Sequence, residues 1–379
     1  MINTALSGNR WDNYFLRHGE SFYSFWKEFL ASAGTRDILF IIGQGFDPRM
    51  TLGAAAILSC GGSGRRDCVL IQFDEGSASP SRAHDNIQAE NIETINKAFS
   101  NTGSLKPRPI EMWSNDGRRR TGSRNIASVV KSSADLVGYS DIIVDISAMP
   151  RTLYMPLIAK VLYLLDKWEQ KSGMPNLHVI VSEDPDFDQS ITGQGLDDDA
   201  SYVHGFSGEI QLEATANVPR VWMPILGEGK GNHFERICDL VNPDEVVPIL
   251  PFPCLNPRRT DKLFIEYRAD LMDRLRVEPR NFLYVPEQNP FGVYRQVTSA
   301  VQHYAEALYP LGGCKFVFSA LSSKLISLGC LLAAYELKKS NLAVGIAHVN
   351  SSGYAMTNKM PKETDLFEVW LAGDSYAQV

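Results

Sequence analysis

The chain has 379 residues, 44% hydrophobic and 21% charged, a balance that excludes disordered, collagen-like and coiled-coil classes and predicts more than one packed core. Lys and Arg number 37 against 44 Asp and Glu, a net charge of −7, so no global basic field exists to hold duplex nucleic acid and any phosphate site must be local. No apolar run reaches the roughly 18 residues of a membrane span. The best candidate, Leu325–Tyr335, is bracketed by Lys324 and Glu336. Residues Met1 to Tyr23 carry Arg10, Asp12, Arg17, His18 and Glu20 without an apolar segment, unlike a secretory signal. The six cysteines form no CxxC pair, which fits reduced, mostly buried thiols; the chain is expected to be cytoplasmic.

From Trp11 to Ala33 aromatic and apolar residues recur at helical spacing, which predicts an amphipathic N-terminal helix within a cap of residues 1–36. A first unit follows over 37–182. Its strands are expected at Ile38–Ile42, Cys68–Phe73, Ile142–Ile146 and Leu177–Ser182, with a short one near Ile110–Trp113. Its helices are expected at Met50–Ser59, Ala83–Phe99 and Thr152–Trp168. Short unalternating strands between helices imply a parallel sheet covered on both faces. Residues 183–243, with acidic and Gly-rich stretches, read as an insertion and connector holding a strand pair at Ile210–Ala214 and Val221–Leu226 and a helix at His233–Leu240. A second unit is expected over 244–379. Its strands are Val246–Leu250, Phe282–Val285, Phe316–Phe318 and Ala343–Val349; its helices are Thr260–Leu275, Val293–Leu308 and Lys324–Lys338, and a tail follows. The fold class is therefore α/β: two related Rossmann-like parallel-sheet units in tandem, with an N-terminal helix and a central insertion.

Two short motifs occur in the same order in both halves. After the first expected strand stand Asp47-Pro48-Arg49-Met50-Thr51 and Asn256-Pro257-Arg258-Arg259-Thr260; after the late strand stand Ser147-Ala148-Met149-Pro150-Arg151 and Ser319-Ala320-Leu321-Ser322-Ser323-Lys324. In an open parallel sheet, ligands sit beyond the carboxyl ends of the strands, where helix N-termini present free N–H groups. Small residues at Gly43, Gly45, Ser147 and Ser319 admit a ligand to the backbone, serine hydroxyls donate, and Arg49, Arg151, Arg258, Arg259 and Lys324 neutralise phosphate. The candidate ligand site thus comprises Gln44, Gly45, Asp47, Arg49, Asp74, Glu75, Ser147, Met149, Arg151, Asn256, Arg258, Arg259, Thr260, Ser319, Ser322, Ser323 and Lys324, lining one cleft or two pseudo-symmetric ones. The plain alternative is that Pro-Arg and Ser or Thr simply start helices well.

Other patterns carry less. Gly43-x-Gly45-x-x-Pro48 with Asp74 and Glu75 approximates a dinucleotide fingerprint, but proline replaces the third glycine. Asp47, Asp74 and Glu75 offer carboxylates for a magnesium ion. Gly227–Gly231 lacks the spacing of a phosphate-binding P-loop and reads as a connector, and the seven histidines are scattered. Arg118, Arg119 and Arg120 form at most a weak nucleic-acid patch.

A Rossmann-like unit with one ligand loop after its first strand, and a second of small residues plus Lys or Arg after its fourth, resembles the CARF domain. Two such units in one chain resemble the SAVED arrangement of bacterial antiviral defence. The matching loops are Gln44–Arg49 and Asn256–Thr260, then Ser147–Arg151 and Ser319–Lys324, within residues 37–182 and 244–350. The late loops carry Ser-Ala where that family is Gly-rich. The resemblance implies a sensor or adaptor that binds a nucleotide, cyclic oligonucleotides included, and acts on a separate effector protein, since no effector segment remains once both halves are assigned. The alternatives are a metal-dependent nucleotide-processing enzyme using Asp47, Asp74 and Glu75, or a structural subunit without ligand. Cofactor and catalytic residues stay unassigned.

Overall fold

The computed structural model describes residues 10–32, 34–169, 173–211, 217–357, 360–361 and 363–376. In chain order the first stretch comprises β1 (Phe15–His18), α1 (Glu20–Ser32), β2 (Ile38–Gly43), α2 (Leu52–Ser59), β3 (Arg66–Asp74), α3 (Asp85–Phe99), β4 (Leu105–Glu111), α4 (Gly122–Asn125), β5 (Asp141–Asp145), α5 (Arg151–Asp166), β6 (Asn176–Glu183), α6 (Pro185–Ser190) and β7 (Ile191–Leu196). There follow β8 (Ser201–Tyr202), β9 (Arg220–Ile225), α7 (Gly231–Val241), β10 (Glu245–Val246), β11 (Ile249–Pro251), α8 (Arg259–Arg268) and β12 (Leu283–Val285). The chain ends with α9 (Pro290–Ala307), β13 (Lys315–Ala320), α10 (Lys324–Lys339), β14 (Val344–His348), β15 (Ser351–Met356) and β16 (Asp365–Ala372). No helix among the described residues is long and apolar enough to cross a membrane. The six cysteines are free thiols; Cys68, Cys238 and Cys330 are buried and the other three half-buried.

The architecture is the expected α/β one. The chain forms two compact units, 1–193 with 353–379, and 194–352. The units are not cut at 183 and 243, because β8 and β9 from the expected connector belong to the second sheet and the last strand returns to the first. That sheet runs β1-β16-β6-β5-β2-β3-β4, with β16 antiparallel to β6 and to β1 and the other pairs parallel. The second runs β12-β11-β9-β13-β14-β8, parallel except for β8, with β10 attached to β9. Strands β7 and β15 pair in a small sheet of their own.

Counting the parallel strands along each main path and leaving aside β10, which lies off it, β2 to β6 in the first unit and β9, β11, β12, β13 and β14 in the second both have the order third-second-first-fourth-fifth. Each therefore reverses direction between its first and fourth strands, which makes that edge the switch point where ligands of open α/β sheets bind. The centres of the strands that form it are apolar and buried: Ile38–Gly43 is buried at every position, Ile142, Ile143 and Val144 are at most 1% exposed, and Phe316, Val317 and Phe318 are fully buried, with polar residues confined mainly to the strand ends. Helices on both faces require this.

One consequence corrects the sequence reading. The first strand of the second sheet is β9, within the segment taken as a connector, so its loop is Leu226–Lys230. The Asn256–Thr260 loop follows the second strand and is the counterpart of the loop after β3, not of Gln44–Arg49. The expected Ile210–Ala214 strand is a 3-10 turn at Gly208–Gln211, and residues 212–214 lie outside the described residues.

The expected helix from Trp11 instead begins at Glu20, after β1, and Ala33 lies outside the described residues. Phe15 pairs with Trp370 and Arg17 with Glu368, so a partner strand from the far end of the chain overrides the helical spacing. Beneath this pairing lies a buried charge network. His178 Nδ1 donates to Glu368 Oε1 at 2.7 Å, Arg17 reaches Glu368 Oε2 at 2.7 Å, and Arg36 grips Asp141 at 2.8 and 3.0 Å. Burial opposes charge on His178, but Asp141 and Glu368 outweigh it and its pKa is raised.

Candidate functional site

In the first unit the two switch-point loops meet through small residues. A methyl group at Gly43 would stand 3.2 Å from Met149 Cβ, and one at Gly45 3.3 Å from Ala148 Cβ. Gln44 is fixed by its N–H on Ile71 O at 2.8 Å and by Gln72, whose amide donates to Gln44 Oε1 at 3.0 Å. Asp47 caps the 3-10 turn Pro48–Thr51 by accepting from Arg49 N at 3.0 Å, with Pro48 at the first position, as the plain helix-start reading requires.

Arg49 does not reach toward a ligand. It is 1% exposed, bonded to Asp47 Oδ2 at 2.8 Å and Asp188 Oδ1 at 2.7 Å, and its guanidinium lies 4.9 Å from the centre of the Phe187 ring. Burial alone would weaken its charge; the two carboxylates reverse this and raise its pKa. Ser147 is buried as well. Its hydroxyl bonds Ser182 Oγ and accepts from Ser182 N, each at 3.0 Å, tying the fourth strand to the fifth. Met149 is buried against Gly43, whereas Arg151 opens α5 half-buried at the rim.

The carboxylates do not gather around a metal. Asp74 is exposed and paired with Arg82 at 2.6 Å, while Glu75 accepts from Ser79 at 3.2 Å and Ser81 at 2.8 Å. Burial pushes the Glu75 carboxyl up against the pull of these hydroxyls. With Asp47 committed to Arg49, the three engage separate partners, and no group of three or more His, Cys, Asp or Glu among the described residues is placed to hold a metal ion. Arg120 stacks 4.0 Å over Trp113 beside exposed Arg118 and Arg119.

A residue that the sequence reading passed over closes this switch point. Asp145 ends β5, is 2% exposed, and accepts from Ser147 N at 2.9 Å. Its other oxygen would stand 2.6 Å from a methyl group on Gly53, in the first turn of α2. The chain's own carboxylate thus occupies the helix N-terminal region where a ligand anion would otherwise gain from the dipole.

The second unit uses the same framework differently. Gly227 follows β9, and a methyl group there would stand 1.9 Å from Leu321 O, so only glycine lets the first- and fourth-strand loops touch backbone to backbone. Gly229 adopts φ +66 and donates its N–H to Glu266 Oε1 at 2.8 Å, and neither it nor Gly231 has anything within 4 Å of where a side chain would start. The loop then opens the eleven-residue helix α7 at Gly231. Lys230 in this loop and Lys324 at the first position of α10 are half-buried. Ser323 caps α10 by accepting from Ile326 N at 3.4 Å.

Arg259 joins these loops. It donates to Glu228 at 2.6 and 2.8 Å, to Glu287, and to Ser322 Oγ at 3.4 Å, linking the loops after the first, third and fourth strands. Burial disfavours its charge, but the two glutamates raise its pKa; burial likewise pushes Glu228 up, and Arg259 more than offsets this to leave it lowered. Of the expected residues, Arg259, Ser322, Ser323 and Lys324 belong to this end of the sheet. Asn256 and Arg258 are exposed, with Asn256 Oδ1 accepting from Arg258 N at 3.1 Å; Thr260 donates to Pro251 O, and buried Ser319 accepts from Trp222 Nε1 at 3.2 Å. Glu228 and Glu287 carried no local signal, since they lie 31 and 28 residues from their arginine.

A scan against protein-family models finds no match to this chain, and a search of curated proteins finds none.

Proposed function

We propose that the chain is a sensor or adaptor subunit that binds a phosphate-bearing ligand, a nucleotide or cyclic oligonucleotide, and acts on a separate effector protein. The observation that carries this reading is the open switch point of the second unit. Its glycine loop leads into the N-terminus of α7 with vacant space at Gly229 and Gly231, and Lys230 and Lys324 flank the loops that meet there. Backbone N–H groups, a helix dipole and two ammonium groups are the elements that hold phosphate in α/β folds. The repeated strand order and the paired late-strand loops support the CARF-like and SAVED-like resemblance, and a role in antiviral defence rests on that resemblance alone.

The reading puts the ligand in the second unit, not equally in both, because in the first Asp47 and Asp188 hold Arg49 and Asp145 Oδ2 crowds Gly53, whereas Gly229 and Gly231 face open space. A thermal-shift screen of nucleotides and cyclic oligonucleotides, with and without magnesium, tests it. A binding ligand raises stability by about 2.7 kcal/mol at a hundredfold excess over its dissociation constant. Chromatography of the recovered nucleotide should return it unchanged; magnesium-dependent turnover abolished by Asp74→Ala would favour an enzyme instead.

A further inference from the structure

The opposite end of the second sheet holds an open pocket of about 650 Å³, within the range of about 300–1,000 Å³ typical of small-molecule sites. Its walls come from the start of β10, the chain after α8, the turn before β12 and the last turns of α9. Apolar Val246, Leu275, Val277 and Ala307 contribute to the lining, and the polar groups are of two kinds. Glu245 and Glu278 face one another closely enough to interact, and only Arg280, which bonds Glu278 at 2.7 Å, offsets them with charge; Asn281 donates to Glu245. Asp244, which accepts from Arg220 N at 2.8 Å, lines the same end, so three carboxylates stand there against Arg280 and the end keeps a net negative charge. Burial, with Glu278 adding, pushes the Glu245 carboxyl up, a cost that a cationic group beside it would relieve.

The other kind is Arg276. Its guanidinium has no hydrogen bond or ion pair among the described residues, and its backbone sits at φ +51. It follows the end of the helical segment Ala269–Arg274, where the next N–H, that of Val277, returns to Leu271 O at 2.8 Å. Glycine or asparagine normally fills this left-handed helix-terminal position. Arg276 is exposed at the pocket mouth, so its guanidinium is available to an anion, and a residue held in the left-handed region beside a cavity is a pattern associated with ligand binding. His303, also without a hydrogen-bond partner among the described residues, lines the same pocket.

We propose that this pocket binds a small amino-bearing anion, its carboxylate or phosphate on Arg276 and its amine against Glu245 and Glu278. The site lies at the amino ends of the strands and is independent of the nucleotide reading. Calorimetry and thermal shift on the full chain test it with glycylglycine and L-glutamine as amino-carboxylates and O-phosphoethanolamine as an amino-phosphate. Acetate, inorganic phosphate and ethylamine serve as single-group controls. At least one amino-bearing anion should raise the melting temperature while the single-group controls do not, and which arm responds identifies the anion. Arg276→Gly and Arg276→Asn suit the local backbone, so each should melt no lower than the parent yet bind at least about tenfold more weakly, as loss of a charge-assisted bond implies. Glu245→Gln should weaken binding likewise, and Lys97→Ala, an exposed change in the first unit, should leave it unchanged. No response to any amino-bearing probe, or parental affinity in the Arg276 or Glu245 variants, would overturn the proposal.

Discussion

The two switch points place an arginine between two carboxylates at the same end of the same strand order, yet they leave different chemistry behind. In the first unit Arg49 is 1% exposed, and Asp145 fills the space at the N-terminal turn of α2. In the second, the Arg259 side chain is 15% exposed and its acids come from neighbouring loops, while the glycine turn into α7 is left open. The same topology can therefore yield a fully buried, paired arginine or a more exposed one beside a glycine loop. The difference is local: Asp145 stands two residues before Ser147 in the first unit, and Val317 stands two residues before the matching Ser319 in the second.

If the first site is structural, breaking it should cost the most. Arg49→Ala strands Asp47 and the surrounding buried polar groups, and should lower unfolding free energy by about 3–5 kcal/mol, read from urea titration. A loss under about 1 kcal/mol, the scale of exposed ion pairs, would dissolve the contrast.

The glycines sharpen it next. Gly227→Ala must displace the Leu321 carbonyl, and should cost about 3 kcal/mol, at the upper end of overpacking effects. Gly43→Ala meets Met149 Cβ at 3.2 Å, where a shift of a few tenths of an ångström suffices, and should cost about 1 kcal/mol or less. Equal losses would mean that the two loop contacts are alike.

The pH dependence should be smaller, and its two opposing flanks come from the charge network of the first unit. The Asp141 carboxyl, disfavoured by burial but held by His178 and Arg36, titrates at about 2, below its ordinary 3.8. Its contribution of about 2 kcal/mol is present above 3.8 and lost as pH falls through 2. His178 is raised from 6.5, so its contribution is complete below 6.5 and lost as pH rises through the higher folded value. Arg17, Arg66 and Asp374 share the network and keep its other charges in place. Urea midpoints across the pH range should fall on both flanks, and His178→Gln should flatten the alkaline one.

What the sequence disclosed follows the range of the interactions involved. The unalternating runs Ile38–Ile42 and Ile142–Ile146 announced parallel strands because burial on both faces is written locally. The fourth-strand loops at Ser147–Arg151 and Ser319–Lys324 were placed equivalently for the same reason. The first strand of the second sheet was misplaced: Arg220–Ile225 carries Pro224 and sits between an acidic stretch and a glycine loop, which read as a connector. That error paired Asn256–Thr260 with Gln44–Arg49, two helix starts at different strands. Strand β16 was missed although Leu366–Ala372 is mostly apolar; its place beside β6 is set by a partner almost two hundred residues away, as the 190-residue gap between His178 and Glu368 illustrates. Arg49 and Arg259 looked like free cations because the acids that hold them are distant in sequence or, as with Asp47, are doing the work of a cap as well.

The central claim is that the second switch point, not the first, takes phosphate. Calorimetric titration of the nucleotide that responds in the thermal screen, into the parent chain and into Lys324→Ala and Arg151→Ala variants, tests it directly. Lys324→Ala should lose about 1.5–3 kcal/mol of binding free energy, the range for a hydrogen bond to a charged group, while Arg151→Ala binds as the parent does. Parental affinity in Lys324→Ala, or an equal loss in both variants, would contradict the account.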